Sequence, residues 1–396
     1  MKFRKIFQKK DEILSLDKIV FILWPRQVWK TTFMKYLYSQ IETKNKYFLN
    51  LENFKNQEIF VSVENFEKFV KSIYDGNWKL YLFLDEFHKV KNIDQFLKII
   101  YDDYSFVKVI ASWSNNLEIN KKIKESLAWR KRVYMLYPLD FEEFLIWKEN
   151  LDLKEVSKFI LNPINRKLVL EYLEEFMIWW SYPEVVLIKD FSEKKQVLED
   201  IFSFWFNKDI ILETEKIYET KELIKYLSFS LWDILNMSSL ANFVNLSVPT
   251  IKRLIGLFEE TFIIFLLRPF FRNKLKELKK SPKIYFFDFG FRNWLIDRFS
   301  FSNEEKWFLF ENFIIQELIK KWYKLDNLKF WRTKDDRYEV DLIIENKKLA
   351  VEIKYKTKDK IKKSDYKNLK KFKEFYSDFE TILINLDNFY EILKTL

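Results

Sequence analysis

The chain of 396 residues is 48% apolar and 32% charged, with a formal net charge of +10, which fits a globular, soluble protein of about two to four domains. It has no cysteine and a single histidine, His88; this excludes disulfides, thiolate metal sites and His-cluster metal centres, and speaks against a Ser-His-Asp triad. The longest apolar runs, such as Thr261–Leu267, fall far short of the ~20 residues that span a bilayer, and "MKFRKIFQKKDEILS" at the start has no apolar core or cleavage site, so a cytoplasmic protein with no membrane contact is expected. The positive charge suits an anionic partner such as nucleic acid, although a Lys-rich, AT-biased genome would produce the same excess.

Residues 1–137 alternate short apolar strands with helical patterns. The strands are "KIVFIL", "KYFLNLE", "KLYLFLDE" and "FVKVIAS", and the alternation predicts a parallel α/β sheet. The first strand runs into "WPRQVWKTT", Trp24 to Thr32. Its spacing is that of a phosphate-binding P-loop, G-x-x-x-x-G-K-[ST], but Trp24 and Trp29 stand at the two glycines. Lys30 would neutralise the β- and γ-phosphates of ATP and Thr31 would hold Mg²⁺, while Trp24, Pro25, Arg26, Gln27, Val28, Trp29 and Thr32 make up the rest of the loop.

The strand "KLYLFLDEF" ends in Asp85 and Glu86. Asp85 would share the Mg²⁺ with Thr31, and Glu86 would position the attacking water. An apolar strand ending in two acids is a weak signal alone and a strong one at this distance from the loop. In "VKVIASWSNN", Ser112, Ser114 and Asn115 are placed to sense the γ-phosphate, or simply to end a strand. Arg130 and Arg132 follow, with Arg130 as the candidate sensor or finger; the plain reading of either is a surface ion pair. His88 is expected to cap or pack behind the acidic strand end.

Residues 138–228 read as a helical connector. Residues 229–270 contain "MSSLANFVNLSVPTIKRLIGLFEETFII", which reads as helix, turn, helix and strand, a winged helix-turn-helix. Ser238 or Ser239 would cap its first helix, and Thr250–Glu260 would form the second, with Lys252 and Arg253 as candidate DNA contacts; packing between domains is the plain alternative. Residues 271–396 form a last α/β block. There "RYEVDLIIENKKLAVEIKYK" predicts two strands around a turn at Asn346-Lys347. Period-two alternation puts Glu352 and Lys354 on one face near Asp341, and Glu311 would complete a cluster able to hold Mg²⁺ for phosphodiester hydrolysis. A half-exposed strand of alternating charge would read the same way.

The order of these motifs resembles a family of prokaryotic AAA-type ATP-binding proteins. In that family a P-loop ATPase precedes helices, a winged helix and a restriction-endonuclease-like domain of PD-(D/E)xK type. The family's G-P-R-Q-V-G-K-T-T, S-G-S-N, E-S-L-A-G-R, Y-P-L-x-F-x-E-F, G-G-Y-P-E-V, F-x-D-x-G-L-R-N, W-R and E-V-D followed by E-x-K are similar to "WPRQVWKTT", "SWSN", "ESLAWRKR", "YPLDFEEF", "WWSYPEVV", "FFDFGFRN", "FWRT", "EVDLII" and "VEIKYK" here. The resemblance covers nearly the whole chain and implies an α/β P-loop sheet followed by helical, winged-helix and nuclease-like parts. It also implies an ATPase that switches a DNA- or partner-binding module, with a homo-oligomer as one form. The alternatives are an ATP-regulated nuclease, or a non-catalytic winged-helix scaffold if the tryptophans are genuine.

The departures from the family are systematic. Trp24, Trp29, Trp113, Trp129 and Trp180 each stand where the family has glycine; Trp179 is similar, although Ser181 is then an extra residue. The chain has 3 glycines and 14 tryptophans, whereas usage near ~7% predicts about 28 glycines. An indole in the loop would crowd the backbone N–H groups that meet phosphate. A decaying ATPase would lose glycine to many residue types and would drift at Lys30, Asp85 and Glu86 as well. One exchange repeated with intact charges indicates UGA codons, which some bacterial lineages read as glycine, translated as tryptophan. The gene is therefore expected to carry UGA at these five positions and UGG at Trp331, where the family itself has tryptophan. UGG at Trp24 and Trp29 would sink the idea.

Overall fold

The computed structural model describes residues 2–23, 29–113, 127–179, 182–211, 214–230, 233–321 and 323–396. The chain divides into two compact units, Met1–Leu139 and Asp140–Leu396.

The first unit is built on a five-stranded sheet in the order β2-β3-β4-β1-β5. The strands are β1 (Ile19–Leu23), β2 (Lys46–Asn50), β3 (Leu80–Asp85), β4 (Val107–Trp113) and β5 (Lys131–Met135), and every pairing is parallel. Parallel strands need crossovers that cover both faces, so the central strands read as unbroken apolar runs. β1 is buried at all of its positions. The helix Ile93–Asp103 shows how a crossover pays its way in apolar contacts: Ile93, Phe96, Leu97 and Ile100 fall on one face and are buried. The helix Val63–Ile73 is started by Ser62, whose side chain accepts from Asn65 N, and it buries Phe66 and Val70. Phe66 meets Phe96 and Tyr104 edge-on at 5.6 and 5.3 Å.

β4 lies between β1 and β3, and the registers Leu23↔Trp113 and Leu84↔Ala111 bring the three strand ends level. In a parallel sheet the carboxyl ends of the strands are where ligands bind. Here that edge gathers residues that are far apart in sequence.

The second unit opens on Asp140, which caps the helix Phe141–Glu149 in a reciprocal box with Glu143. Phe141, Phe176 and Phe313 pack edge-on at 5.5 to 5.8 Å and tie three helices together. Its sheet is six-stranded, β11-β10-β9-β8-β6-β7. The strands are β6 (Ile264–Pro269), β7 (Lys283–Phe286), β8 (Leu328–Arg332), β9 (Glu339–Ile344), β10 (Leu349–Ile353) and β11 (Glu380–Ile384).

Where a helix-turn-helix is expected, the helices Met237–Phe243 and Val248–Glu260 follow one another. Asn236, rather than Ser238 or Ser239, caps the first: its side chain accepts from both of those serines' N–H groups. The second begins at Val248, two residues before the expected Thr250, because Ser247 caps it and Pro249 suits a first turn. The strand that follows, β6, is not a free wing. It pairs antiparallel with β7 and parallel with β8, so the segments expected as 229–270 and 271–396 share one sheet. β6 is apolar and buried along nearly its whole length, and such a strand needs a partner on each edge.

The motif "FFDFGFRN" is a clasp. Asp288 caps the helix Phe289–Leu295 through Phe291 N at 2.5 Å. Asn293 Nδ2 donates to Ile178 O at 2.9 Å, and Arg292 Nε to Ser228 O at 2.7 Å. A Cβ on Gly290 would lie 2.5 Å from Trp179 O, so this glycine is required by the close approach of backbone.

Candidate functional site

Two groups of charged side chains stand out, one in each unit. The first lies at the carboxyl ends of β1, β3 and β4. Lys30 opens the helix Lys30–Ser39, and Thr31 follows it. Thr31 Oγ1 donates to Asp85 Oδ2 at 3.1 Å. Ser112 Oγ, at the end of β4, donates to the other oxygen, Asp85 Oδ1. The same Ser112 Oγ accepts from Glu86 N at 3.3 Å. Asp85 is 4% exposed, and the two hydroxyls compensate a buried carboxylate. Glu86 stands next to it with φ +55°, and His88 Nδ1 lies 3.4 Å from Glu86 Oε2. A hydroxyl and a carboxylate at one point fit a hard, oxygen-seeking cation such as Mg²⁺.

Trp29 precedes that helix with φ +64° and ψ +39°. This left-handed conformation suits glycine and is unfavourable for a bulky side chain. Trp78 shares it, with φ +66°, and is 84% exposed. Trp24, Pro25, Arg26, Gln27, Val28, Ser114 and Asn115 lie outside the described residues, as do Trp180 and Ser181. Thr32 lies in the first turn of the helix Lys30–Ser39.

Arg130 does not join this site. It directly precedes β5, and its carbonyl accepts from Ile19 N, so it sits at the amino ends of β1 and β5. Its guanidinium donates twice to Asp102, at 2.7 and 2.9 Å, and lies over the Trp129 ring at 4.2 Å. The bidentate pair lowers the Asp102 pKa. Arg132 lies on β5.

The second group lies in the second unit. The antiparallel register Val351↔Leu342 runs on to bring Asp341 of β9 opposite Glu352 of β10. Lys354 Nζ lies 2.6 Å from Glu352 Oε1 and 3.8 Å from Asp341 Oδ2. Ile353 N donates to Asp341 Oδ2 at 2.7 Å, and Asn368 Nδ2 to Glu352 Oε1 at 3.1 Å. Glu311, wholly buried on the helix Asn303–Lys320, accepts from Tyr285 OH and lies 3.8 Å from Lys283 Nζ. Lys283 also pairs with Glu339. Sequence reasoning places Glu311, Asp341, Glu352 and Lys354 together, and the structure brings them together. Lys283, Tyr285, Glu339 and Asn368 are additional members.

Burial dominates the electrostatics of this group. Together with the neighbouring Asp341 it pushes the Glu352 carboxyl up to about 8. Burial likewise pushes Glu311 up to about 7 against the pull of Lys283. Burial lowers the Lys354 ammonium, but Asp341 and Glu352 outweigh it and hold the pKa above the usual range. Glu311 Oε2 and Glu352 Oε2 are buried without a hydrogen-bond partner. Yet among the described residues no three acidic or histidine side chains are arranged to hold a metal ion. Lys354 and Lys283 lie beside these acids. Lys252 and Arg253 are exposed on the helix Val248–Glu260.

Residues 16–145 match the AAA domain family. That match spans most of the first unit. Residues 170–302 and 308–392 each match a domain of unknown function, DUF8612 and DUF4143 respectively. An uncharacterized protein of Methanocaldococcus jannaschii is 27% identical over 379 residues, covering 93% of this chain and 81% of that protein. Among solved structures, the Walker-type ATPase PABY2304 of Pyrococcus abyssi is similar at a TM-score of 0.45 and 14% identity, covering 75% of this chain and 96% of that one. The RuvB Holliday junction branch migration motor of Thermotoga maritima is similar at 0.31 and 15%, covering 69% and 94%. Among the described residues no helix is long and apolar enough to cross a membrane.

The raised Glu352 carboxyl makes stability depend on pH. The folded state keeps its proton up to about pH 8, whereas the unfolded chain releases it near the ordinary value of about 4.5. Between these limits the unfolded state binds fewer protons, so stability falls as pH rises and levels off above pH ~8. Urea titrations in chelator are expected to show this decline, and Glu352→Gln is expected to remove part of it. An unchanged slope in the variant would contradict the assignment.

Proposed function

We propose that this protein binds and hydrolyses ATP with Mg²⁺, and that the cycle switches an attached C-terminal module that binds DNA or another partner. The supporting observation is the convergence of Thr31, Asp85, Ser112 and Glu86 at the carboxyl edge of the parallel sheet. Lys30 at the start of the helix would neutralise the β- and γ-phosphates. Thr31 and Asp85 would hold Mg²⁺, which when bound supplies charge neutralisation at the phosphate oxygens. Glu86 would orient the attacking water and accept its proton. Ser112 fixes the Asp85 carboxylate so that one oxygen faces Thr31. Arg130 is retained only as a residue acting toward a neighbouring copy, since its own site lies at the other strand ends.

The reading takes glycine as the native residue at Trp24 and Trp29. The Trp24→Gly/Trp29→Gly protein is expected to turn over ATP, and the chain with tryptophan to bind it poorly. Glu86→Gln should lower turnover by ~10²-fold or more with nucleotide binding retained, as for loss of a general base. Lys30→Ala should lose binding. Equal turnover by the tryptophan and glycine forms would overturn the reading.

The gathering of Asp341, Glu352, Lys354 and Glu311 raises a second reading, an ATP-regulated nuclease. Lys354 lies beside two of these acids, Asp341 and Glu352. Supercoiled plasmid incubated with the protein and Mg²⁺ or Mn²⁺ tests it, and plasmid that stays intact counts against this reading. Cleavage that disappears in Asp341→Ala would establish the second reading instead.

A further inference from the structure

Residues Lys354 to Lys373 carry ten lysines against two aspartates, so most of the chain's formal +10 sits in twenty residues. The stretch leaves the end of β10 and runs into the helix Lys367–Phe375. It is folded tightly. Lys356 Nζ donates to Asp365 Oδ1 at 2.8 Å, and Asp365 Oδ2 accepts from Lys362 N at 2.8 Å. Asp365 is thus consumed within the loop. The helix is anchored by Leu369 and Phe372, both buried, with Phe372 against Trp331 at 5.2 Å.

The opposite face is left to lysine. Lys358, Lys360, Lys362, Lys363, Lys367 and Lys370 are all exposed. Among the described residues no carboxylate pairs with Lys363, Lys367 or Lys370; Lys367 rests over the Tyr338 ring at 4.8 Å. Like charges at three- and four-residue spacing destabilise a helix, so this face is not explained by stability. A rigid row of unpaired cations is the footprint of a polyanion. Asn368, on the same helix, reaches Glu352 at 3.1 Å, which ties the lysine face to the buried acids.

We propose that the lysine face of residues 358–370 is the surface that grips the sugar-phosphate backbone of DNA. The inference rests on the reading of the second unit as a DNA-binding module, and it places the main contact on this face rather than at Lys252 and Arg253. The binding is read by charge, not by base sequence, because lysine side chains on phosphates carry no sequence information.

Fluorescence anisotropy of the full chain with labelled duplex and single-stranded DNA, over a series of salt concentrations, tests this. Affinity should fall steeply with salt. Lys363→Glu/Lys367→Glu/Lys370→Glu should weaken binding by ~10-fold or more and reduce the log–log salt slope by about 2 to 3, the share of three phosphate contacts. The milder Lys363→Gln/Lys367→Gln/Lys370→Gln, with its melting temperature checked, guards against misfolding and should show a smaller loss. Lys252→Glu/Arg253→Glu should leave most of the slope in place. The duplex and single-strand arms show which form of the backbone is preferred. Wild-type affinity in the triple variants, salt-independent binding, or loss of the slope through Lys252 and Arg253 alone would overturn the proposal. So would preference for poly-glutamate over DNA. ATP turnover measured in the same preparations separates the two readings: failure to hydrolyse ATP with DNA binding intact counts against the ATPase alone.

Discussion

Asp85 is almost wholly removed from water, and a carboxylate there is tolerable only if donors meet both of its oxygens. The first unit supplies them from two other strand-to-loop junctions, Thr31 after β1 and Ser112 at the end of β4. This demand depends on the strand order. With β4 between β1 and β3, the three ends lie side by side, and a hydroxyl from each neighbour reaches the acid. Any slip in register by one residue would turn these side chains to the other face of the sheet. The geometry of the carboxyl edge and the packing of the parallel sheet are therefore one constraint.

The second unit meets the same physical problem differently. Its acids, on β9, β10 and the helix Asn303–Lys320, are buried with lysines as partners, and Glu311 and Glu352 are only partly compensated. Incomplete compensation appears as carboxyls that hold their protons to near-neutral pH. The uncompensated lysines lie on the outside, one helix away. The buried Glu352 and the exposed lysines thus share a short segment of chain, joined by Asn368.

Much of the first unit was legible in the sequence. β1 and β3 are apolar runs that end in a loop with lysine or in two acids, and both features survive in the fold. β5 was not legible, because "KRVYM" carries two cations and only Tyr134 is fully buried. Arg130 shows a deeper limit. Its place just before a strand sets it at the amino edge, at the other strand ends from Asp85, and the residue types around it do not show this. β6 reads as a wing after a helix-turn-helix, but burial of both its faces draws it between β7 and β8.

By itself the sequence determined the residue types and their local spacing: lysine and threonine after a strand, two acids after another, and Glu352 and Lys354 on one face of a third. It also carried the exchange of glycine for tryptophan, visible because one substitution recurs at separate motifs. Only the tertiary structure decided which groups meet. Lys283 reaches Glu339 and Glu311, and Ser112 reaches Asp85, because strand order brings distant segments within hydrogen-bonding distance. The left-handed backbone at Trp29 is likewise a property of the folded turn. Local patterns follow from the period of a strand or helix; pairings between strands follow from how the whole sheet buries its apolar faces, and no single stretch of sequence contains that.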